Sequence, residues 1–448
     1  MPSLFRQLRF WSRLTLAFLG KYYAAIFIGI LFGITAFILS PRLLPLLPKI
    51  RPTSSIALVG RFSPTDIPLS LQQKISLGLT TLTPDGLPGP GLAKSWTIDD
   101  SGKNYTFEIN TAYKWQNGKS ITSRDINYRF KDTDVDYLDD THLVIKLKEP
   151  FSPLPVVVSR PAFKSGLLGA GAYKVKSLKK AGSIVESISL SPADKNSRLP
   201  ILKYYFYPSE HQARLAFKLG TVNSIEDIQD LADLSQWPGI NTKSLVQTDR
   251  YLGIFFNTQD PMFSGQSGKS LRQALAYATN KSAWPNRAYG PVSPLSWAFN
   301  PEVKKYDYDL ARAKQLLAGV EKKPQQLDLS TLPVYLPIAE NIKTDWEMLG
   351  ITTNIRIIPE LTADFTVLLV AQQIPTDPDQ YNLWHSTQTG TNLTKFNRPR
   401  ADKLLEDGRK TTDLKTRKEI YTEFQKYLTE EVPVIFLFHP TTYTISRP

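Results

Sequence analysis

The 448-residue sequence contains no cysteine. Disulfides, thiol nucleophiles, cysteine-ligated zinc and a cysteine-linked lipid anchor are therefore excluded. Histidine is scarce too. His142, His211, His385 and His439 are the only four, and no two lie three to five residues apart, so a histidine-rich metal centre is not expected. Signatures of common catalysis are also missing: no Gly-x-Ser-x-Gly elbow and no His-Glu-x-x-His occur. The glycine-rich stretch Gly86-Leu87-Pro88-Gly89-Pro90-Gly91 carries prolines and lacks a following Lys-Ser/Thr, which makes it a turn and not a phosphate loop. Repeats of fixed period and low-complexity stretches are absent as well. Acidic residues are missing from the N-terminal region: residues 1–51 contain none, against seven basic residues.

That region explains half of the formal charge of +13, leaving the remaining 397 residues only weakly basic. Elsewhere the pairs Lys179-Lys180, Lys304-Lys305 and Lys322-Lys323 are scattered without interleaved aromatics, and no nucleic-acid partner is expected. Tyr22 to Leu39 is an uncharged apolar run of 18 residues, about 27 Å long as a helix and long enough for a hydrocarbon core. Arg6, Arg9, Arg13 and Lys21 precede it; Arg42, Lys49 and Arg51 follow. An uncleaved single-pass anchor with a cytoplasmic N-terminus and an extracytoplasmic C-terminal part is expected. The competing reading is a cleaved signal peptide, against which stand the length of the run and the lack of a small-x-small site before Ser40-Pro41. Pro41, Pro45, Pro48 and Pro52 predict a stiff, extended stalk.

A composition of 42% hydrophobic and 21% charged residues is that of a folded protein, and the length suggests two to three domains. Trp96-Thr97-Ile98, a turn at Asp99–Gly102 and the alternation Tyr105/Phe107/Ile109 predict a β-hairpin. Leu143/Ile145/Leu147 alternate in the same way. Apolar runs at Ile355–Ile358, Phe365–Val370 and Val434–Phe438 suit strands buried on both faces. Asp309 can cap a helix with Leu310, Ala313, Leu316 and Leu317 on one face, ended by Gly319. Further helical stripes are Leu271/Ala274/Leu275/Ala278 and Ile420/Phe424/Tyr427/Leu428. Alternating strands and helices over this length argue for an α/β architecture of more than one lobe.

Asp377-Pro378-Asp379 is the one candidate for paired carboxylates, and turn formation or a binding-loop charge explains it better than acid–base catalysis. His385 beside Trp384 is expected to be packed and hydrogen-bonded. Trp346 and Trp384 are core or cleft-wall residues.

From Leu77 to Phe130 a longer pattern is present: Gly78-Leu79, Asp85-Gly86, Pro90-Gly91-Leu92-Ala93-Lys94-Ser95-Trp96, Asp100-Ser101-Gly102-Lys103, Tyr105-Thr106-Phe107, then Lys114-Trp115-Gln116-Asn117-Gly118-Lys119 running to Asp125-Ile126. It resembles the opening of extracellular solute-binding proteins of the dipeptide/oligopeptide/nickel class, family 5. The resemblance continues in order through Gly169–Val175, Glu210–Asn223, Tyr251-Leu252-Gly253 with Phe256-Asn257-Thr258, Leu271–Ala278, Tyr308–Leu317, Asp377-Pro378, Asn392, Asn397, Asp402–Leu405, and Asp413 with Arg417, Tyr421 and Pro433. It spans about 370 residues.

The resemblance implies a two-lobed periplasmic-binding-protein type II fold with a small inserted subdomain. It places lobe 1 at 54–78, 160–250 and 432–448, a trimmed subdomain at 79–159, and lobe 2 at 251–431, with 1–21 as a basic tail, 22–39 as anchor and 40–53 as stalk. It implies a binding protein, not an enzyme, that carries a peptide or similar solute to an ABC permease as a monomer, without cofactor or metal. The expected ligand-binding residues are Asp377, Asp379, Tyr381, Trp384, Asn392, Tyr251 and Asn257. One departure stands out. Peptide-binding relatives have an aspartate just before the acid-Pro pair that grips the peptide ammonium, whereas Gln372–Thr376 contains no acid; Asp377 or Asp379 is expected to take over that role. Two other readings stand beside this one: a membrane-anchored docking or chaperone module that kept the fold without transport, favoured by a cleft too small for a solute, and a hydrolase using Asp377 and Asp379.

Overall fold

A computed structural model describes residues 2–43, 51–128, 130–131, 133–361 and 364–447. Residues 1–52 and 53–448 form two separate units.

In the first unit, one helix runs from Pro2 to Leu43, interrupted at Tyr22 (φ −116°, ψ 18°). The break falls where the apolar run begins. The basic segment expected as a tail is thus itself helical, and helix continues past Ser40, where the stalk was expected to start. Residues 44–50 of that stalk lie outside the described residues. Trp11–Leu39 is long and apolar enough to cross a membrane.

The second unit is built on two large sheets. The first is formed by β1 (Thr53–Val59), β2 (Tyr173–Ala181), β3 (Ile184–Pro192), β4 (Ile201–Tyr207), β5 (Ser224–Ile228) and β6 (Asn241–Val246), joined by β12 (Thr441–Ser446), with period-two burial clearest in β3 and β4. Their order is β6-β12-β5-β1-β4-β3-β2, with β1 parallel to β4 and β5. One face packs Ile56, Leu58, Ile188, Leu190, Tyr204 and Phe206 together; the other places Ala57, Ile225 and Ile445 against Ala213 and Phe217 of the Glu210–Lys218 helix. Ser209 caps that helix by accepting from the Gln212 N–H.

The second sheet holds β7 (Arg250–Phe256), β8 (Gln326–Thr331), β9 (Thr352–Ile357), β10 (Val367–Gln373) and β11 (Val434–Phe438), in the order β9-β8-β10-β7-β11. β7 is antiparallel to both its neighbours, while β8 is parallel to its own. The strands β7, β10 and β11 are buried on both faces between helices. Trp346 is fully buried here, its indole N–H donating to Thr279 Oγ1 at 3.0 Å. The Asp309-capped helix spans Leu310–Ala318 and ends at Gly319 as its sequence predicts.

Two expectations need correction. Val434–Phe438 belongs to the second sheet, hydrogen-bonded to β7, so the chain returns to the first sheet near His439 and not at 432. The run Ile355–Ile358 is not buried on both faces: β9 is an edge strand whose alternate residues are exposed.

Between β1 and β2 lies a four-stranded antiparallel sheet of Ala93–Ile98, Asn104–Ile109, His142–Leu147 and Thr133–Tyr137. The predicted hairpin is present, and the few residues after Phe130 supply a fourth strand. Tyr105, Phe107, Trp115, Leu143 and Ile145 form its core. Gln116 fastens it to the first sheet, its amide donating to the carbonyls of Ile75 (2.8 Å) and Tyr173 (2.6 Å). Gly169 passes so close to the Ile75 carbonyl that a Cβ would collide with it, which is why glycine stands there.

Candidate functional site

The chain crosses between the large sheets twice, side by side. β6 ends at Val246 and β7 starts at Arg250; β11 ends at Phe438 and β12 starts at Thr441. The crossings are tied together: Gln247 N–H donates to Pro440 O (2.8 Å), and His439 Nδ1 lies 2.8 Å from Arg250 O. Short adjacent connections of this kind are where a hinge concentrates its φ/ψ changes.

Beside the crossings, the subdomain meets the second sheet's loops. The Trp297 N–H donates to Asp85 O (3.0 Å), and both the N–H and the hydroxyl of Ser152 donate to Arg409 O (2.8 and 2.9 Å). Gly86 has φ +85°, and a Cβ there would stand 3.1 Å from Thr376 O, so two reasons favour glycine at this approach. A cavity of about 150 Å³ lies between the two sides. The loop Pro84–Gly86 lines one side, Ile374–Thr376 and Ser293–Ser296 the other, and Thr248 and Asp249 of the first crossing its floor.

The acids of the Asp377-Pro378-Asp379 turn lie just behind Thr376, and each faces an arginine. Asp377 takes two hydrogen bonds from Arg417, at 2.9 and 2.5 Å, and its Oδ1 accepts from the Asp379 N–H. Asp379 takes two from Arg409, at 3.0 and 2.8 Å. Burial pushes the Asp379 carboxyl above its ordinary range, against the opposing pull of Arg409. The Arg409 guanidinium also lies 3.9 Å from the Tyr381 ring centre and 5.3 Å from that of Phe151. On its other face Tyr381 stacks on His385 at 4.0 Å. One column of groups therefore runs from His385 through Tyr381 and Arg409 to the subdomain's Phe151.

Of the other expected site residues, Trp384, Asn392 and Tyr251 are interior and Asn257 is half-buried. Trp384 is buried and donates to Gln380 Oε1 at 3.0 Å. Asn392 is buried, donating to the carbonyls of Trp384, His385 and Phe396 while accepting from the Phe396 N–H and the Thr394 hydroxyl. It organises its own loop. Tyr251 packs edge-on to Phe436 at 4.8 Å, and its buried hydroxyl has no hydrogen-bond partner. Asn257 accepts from the Gln259 N–H at 3.2 Å. Of the seven, Asp377, Asp379 and Tyr381 share one cluster beside the cleft, with Trp384 and Asn392 packed behind; none of the seven lines the cavity. The acids that do line it are Asp85 and Asp249, with Asp249 also 3.2 Å from Arg250 Nε. Asp85-Gly86 was visible in sequence only as part of a resemblance, and Asp249 carried no signal. Among the described residues, no three His, Asp or Glu side chains gather as a metal site.

Residues 88–394 match the model of "Bacterial extracellular solute-binding proteins, family 5 Middle". The chain is 26% identical over 447 aligned positions to di/tripeptide-binding protein 1 of Pseudomonas aeruginosa, covering 80% of this chain and 82% of that protein. It is 24% identical to the oligopeptide-binding protein AppA of Bacillus subtilis, covering 78% and 73%. Among solved structures, the ABC transporter substrate-binding protein CtaP of Listeria monocytogenes superposes with a TM-score of 0.75 at 21% identity, over 88% of this chain and 94% of that one. AppA of B. subtilis in complex with a nonapeptide gives 0.67 at 20% identity, over 88% and 95%. With two sheets, paired crossings, an inserted subdomain and a family match over more than half its length, the chain belongs to family 5 of the bacterial extracellular solute-binding proteins.

Proposed function

We propose that this protein is a membrane-tethered extracytoplasmic receptor that closes two lobes over a small cationic solute, of single-amino-acid to short-peptide size, and presents it to an ABC import permease. The observation that carries this reading is the cavity of about 150 Å³ at the crossings, walled from both lobes and bearing Asp85 and Asp249. Its volume is below the roughly 300–1,000 Å³ of clefts for drug-sized ligands, which argues for a short solute and against a long extended peptide. A solute ammonium seated there meets a carboxylate, the partner a desolvated cation needs. In this reading Asp85 and Asp249 take the place of the acid missing from Gln372–Thr376. Asp377 and Asp379 act one layer back, holding Arg417 and Arg409, while Tyr381, Trp384, Asn392, Tyr251 and Asn257 support the surrounding structure without touching the cavity.

Relatives named as di/tripeptide- and oligopeptide-binding proteins support a peptide-type solute. The apolar helix Trp11–Leu39 supports a tether, with the N-terminus inside, the lobes outside, and a single chain acting alone.

The small cavity also favours a second reading, a docking module whose lobes no longer admit a solute. Thermal melting of the detergent-solubilised full chain against amino acids, dipeptides and tripeptides separates the two. Saturation at 100 times Kd adds about 2.7 kcal/mol of stability. A shift with short cationic solutes, weakened by Asp249→Asn, supports the receptor; no shift with any member of the panel supports the docking module.

A further inference from the structure

A second, smaller hollow lies in lobe 2 and shares no lining residue with the interlobe cavity. It forms where the segment after the Lys281–Ala283 turn runs along the outer edge of β11. The His439 N–H donates to Asn286 O at 2.8 Å, the Ala288 N–H donates to Leu437 O at 3.2 Å, and Arg287 bridges to Phe438. The space is about 20 Å³ and partly open to solvent, beside Val434–Phe436, with Lys281, Arg287, Tyr289, Lys304, Lys305 and Tyr306 around it. That is room for one occupant of about the size of a water molecule.

Four of those six side chains are cationic. Lys304 is paired, 2.8 Å from Glu430. Lys281 spends its donors on the carbonyls of Ala276, Thr279 and Tyr306, at 2.5, 2.9 and 2.6 Å, so it contributes charge and no free proton. The Lys305 ammonium and the Arg287 guanidinium both lie over the Tyr289 ring, 5.2 and 5.4 Å from its centre. Asp307 and Asp345 act on this group only through space. The Nε–H of Arg287 is buried and has no acceptor; only one other buried side-chain atom among the described residues is in that position. An unpartnered donor on a cation is costly. Burial, reinforced by the Arg287 charge and opposed by Asp307 and Asp345, pushes the Lys281 ammonium down to about 7.

We propose that this hollow is a binding site for one small monatomic anion of the halide class, accepting from Arg287 Nε–H within the positive field of Lys281, Lys304 and Lys305. A water molecule would fit by volume and accept the same proton, but it would leave the Arg287 and Lys305 charges uncompensated. An anion only accepts, and it balances the charge. The space of about 20 Å³ suits a monatomic ion better than phosphate or a carboxylate. The bound ion would also pin the Asn286–Ala288 segment to β11, one residue before the crossing at His439. The inference is independent of the identity of the transported solute.

The test uses the full chain in detergent. Its melting temperature is followed as sodium chloride replaces sodium gluconate at constant ionic strength, and crystals grown in sodium bromide are measured at the bromine absorption edge. The expected result is a saturable rise in melting temperature with chloride and an anomalous peak within hydrogen-bonding reach of Arg287 Nε, both lost in Arg287→Gln. Should Arg287→Gln fail to fold, Lys305→Gln replaces a solvent-facing cation of the same site and is expected to weaken the apparent chloride affinity several-fold. Equal melting in the two salts without a bromide peak would overturn the proposal in favour of water. A chloride effect that persists in the variants would overturn it in favour of a general salt effect.

Discussion

Asp377 and Arg417, forty residues apart, close on each other through two hydrogen bonds with less than a tenth of either side chain exposed. The pair joins the turn behind the cavity to the Leu414–Glu431 helix, which runs directly into β11. Breaking one side leaves a buried charge alone. Asp377→Asn is expected to lower unfolding free energy by about 3–5 kcal/mol, and a joint Asp377→Leu, Arg417→Met replacement to recover most of it. Urea unfolding of the three proteins checks this; equal losses in the single and double variants would show that the pair is not the cause.

Arg409 ties lobe 2 to the subdomain, its backbone carbonyl accepting from Ser152 and its guanidinium lying over Phe151. Arg409→Ala is expected to open the cleft, raising the radius of gyration in solution scattering while the circular dichroism spectrum stays unchanged. Gly86→Ala should act in the same direction by another route, because its Cβ would press on Thr376 as the lobes close.

Asp249→Asn removes a carboxylate from the cavity without touching the core. Bonds to charged groups are worth about 1.5–3 kcal/mol, so solute affinity should fall at least about tenfold by calorimetry, with melting of the free protein little changed. Asp379→Asn, by contrast, is expected to act mainly on stability and on lobe closure.

Lys281 supplies a pH dependence whose sign is fixed. Burial, then the Arg287 charge, moves its ammonium from 10.5 down to about 7. Between these values the unfolded chain binds more protons than the folded one, so this group makes stability rise with pH, by up to about 1.4 kcal/mol per unit. Below about pH 7 its full penalty is present. Denaturant unfolding from pH 7.5 to 9.5 should show a steeper rise for the natural chain than for Lys281→Met; parallel profiles would refute the assignment.

Much of the fold was legible because helix stripes and strand alternation are local. The Asp309 cap, the Trp96–Ile109 hairpin and the buried Val434–Phe438 strand each declare themselves within a dozen residues. The site was less legible for the same reason. Asp377 and Asp379 looked like free acids because their partners stand 40 and 30 residues away, at Arg417 and Arg409. Asn392 looked like a ligand contact because a buried asparagine knotting its own loop uses the same donors and acceptors. The strand at 434–438 was assigned to the wrong sheet since an all-apolar strand carries no mark of which neighbour it joins. Asp249 gave no sign at all, as a turn acid at a crossing reads like any other turn acid.

The last strand of the chain, β12, does not sit at the margin of the first sheet but in a slot between β6 and β5, filling a gap left by strands made some two hundred residues earlier. During synthesis, then, lobe 1 emerges first and must wait with two raw edges until Thr441–Ser446 arrives. Lobe 2 has all its own strands by Phe438 and completes sooner. The nascent protein is therefore exposed to mispairing and proteolysis at β5 and β6 until β12 is made, and a break in the chain just before Thr441 would damage the half of the molecule that is encoded first.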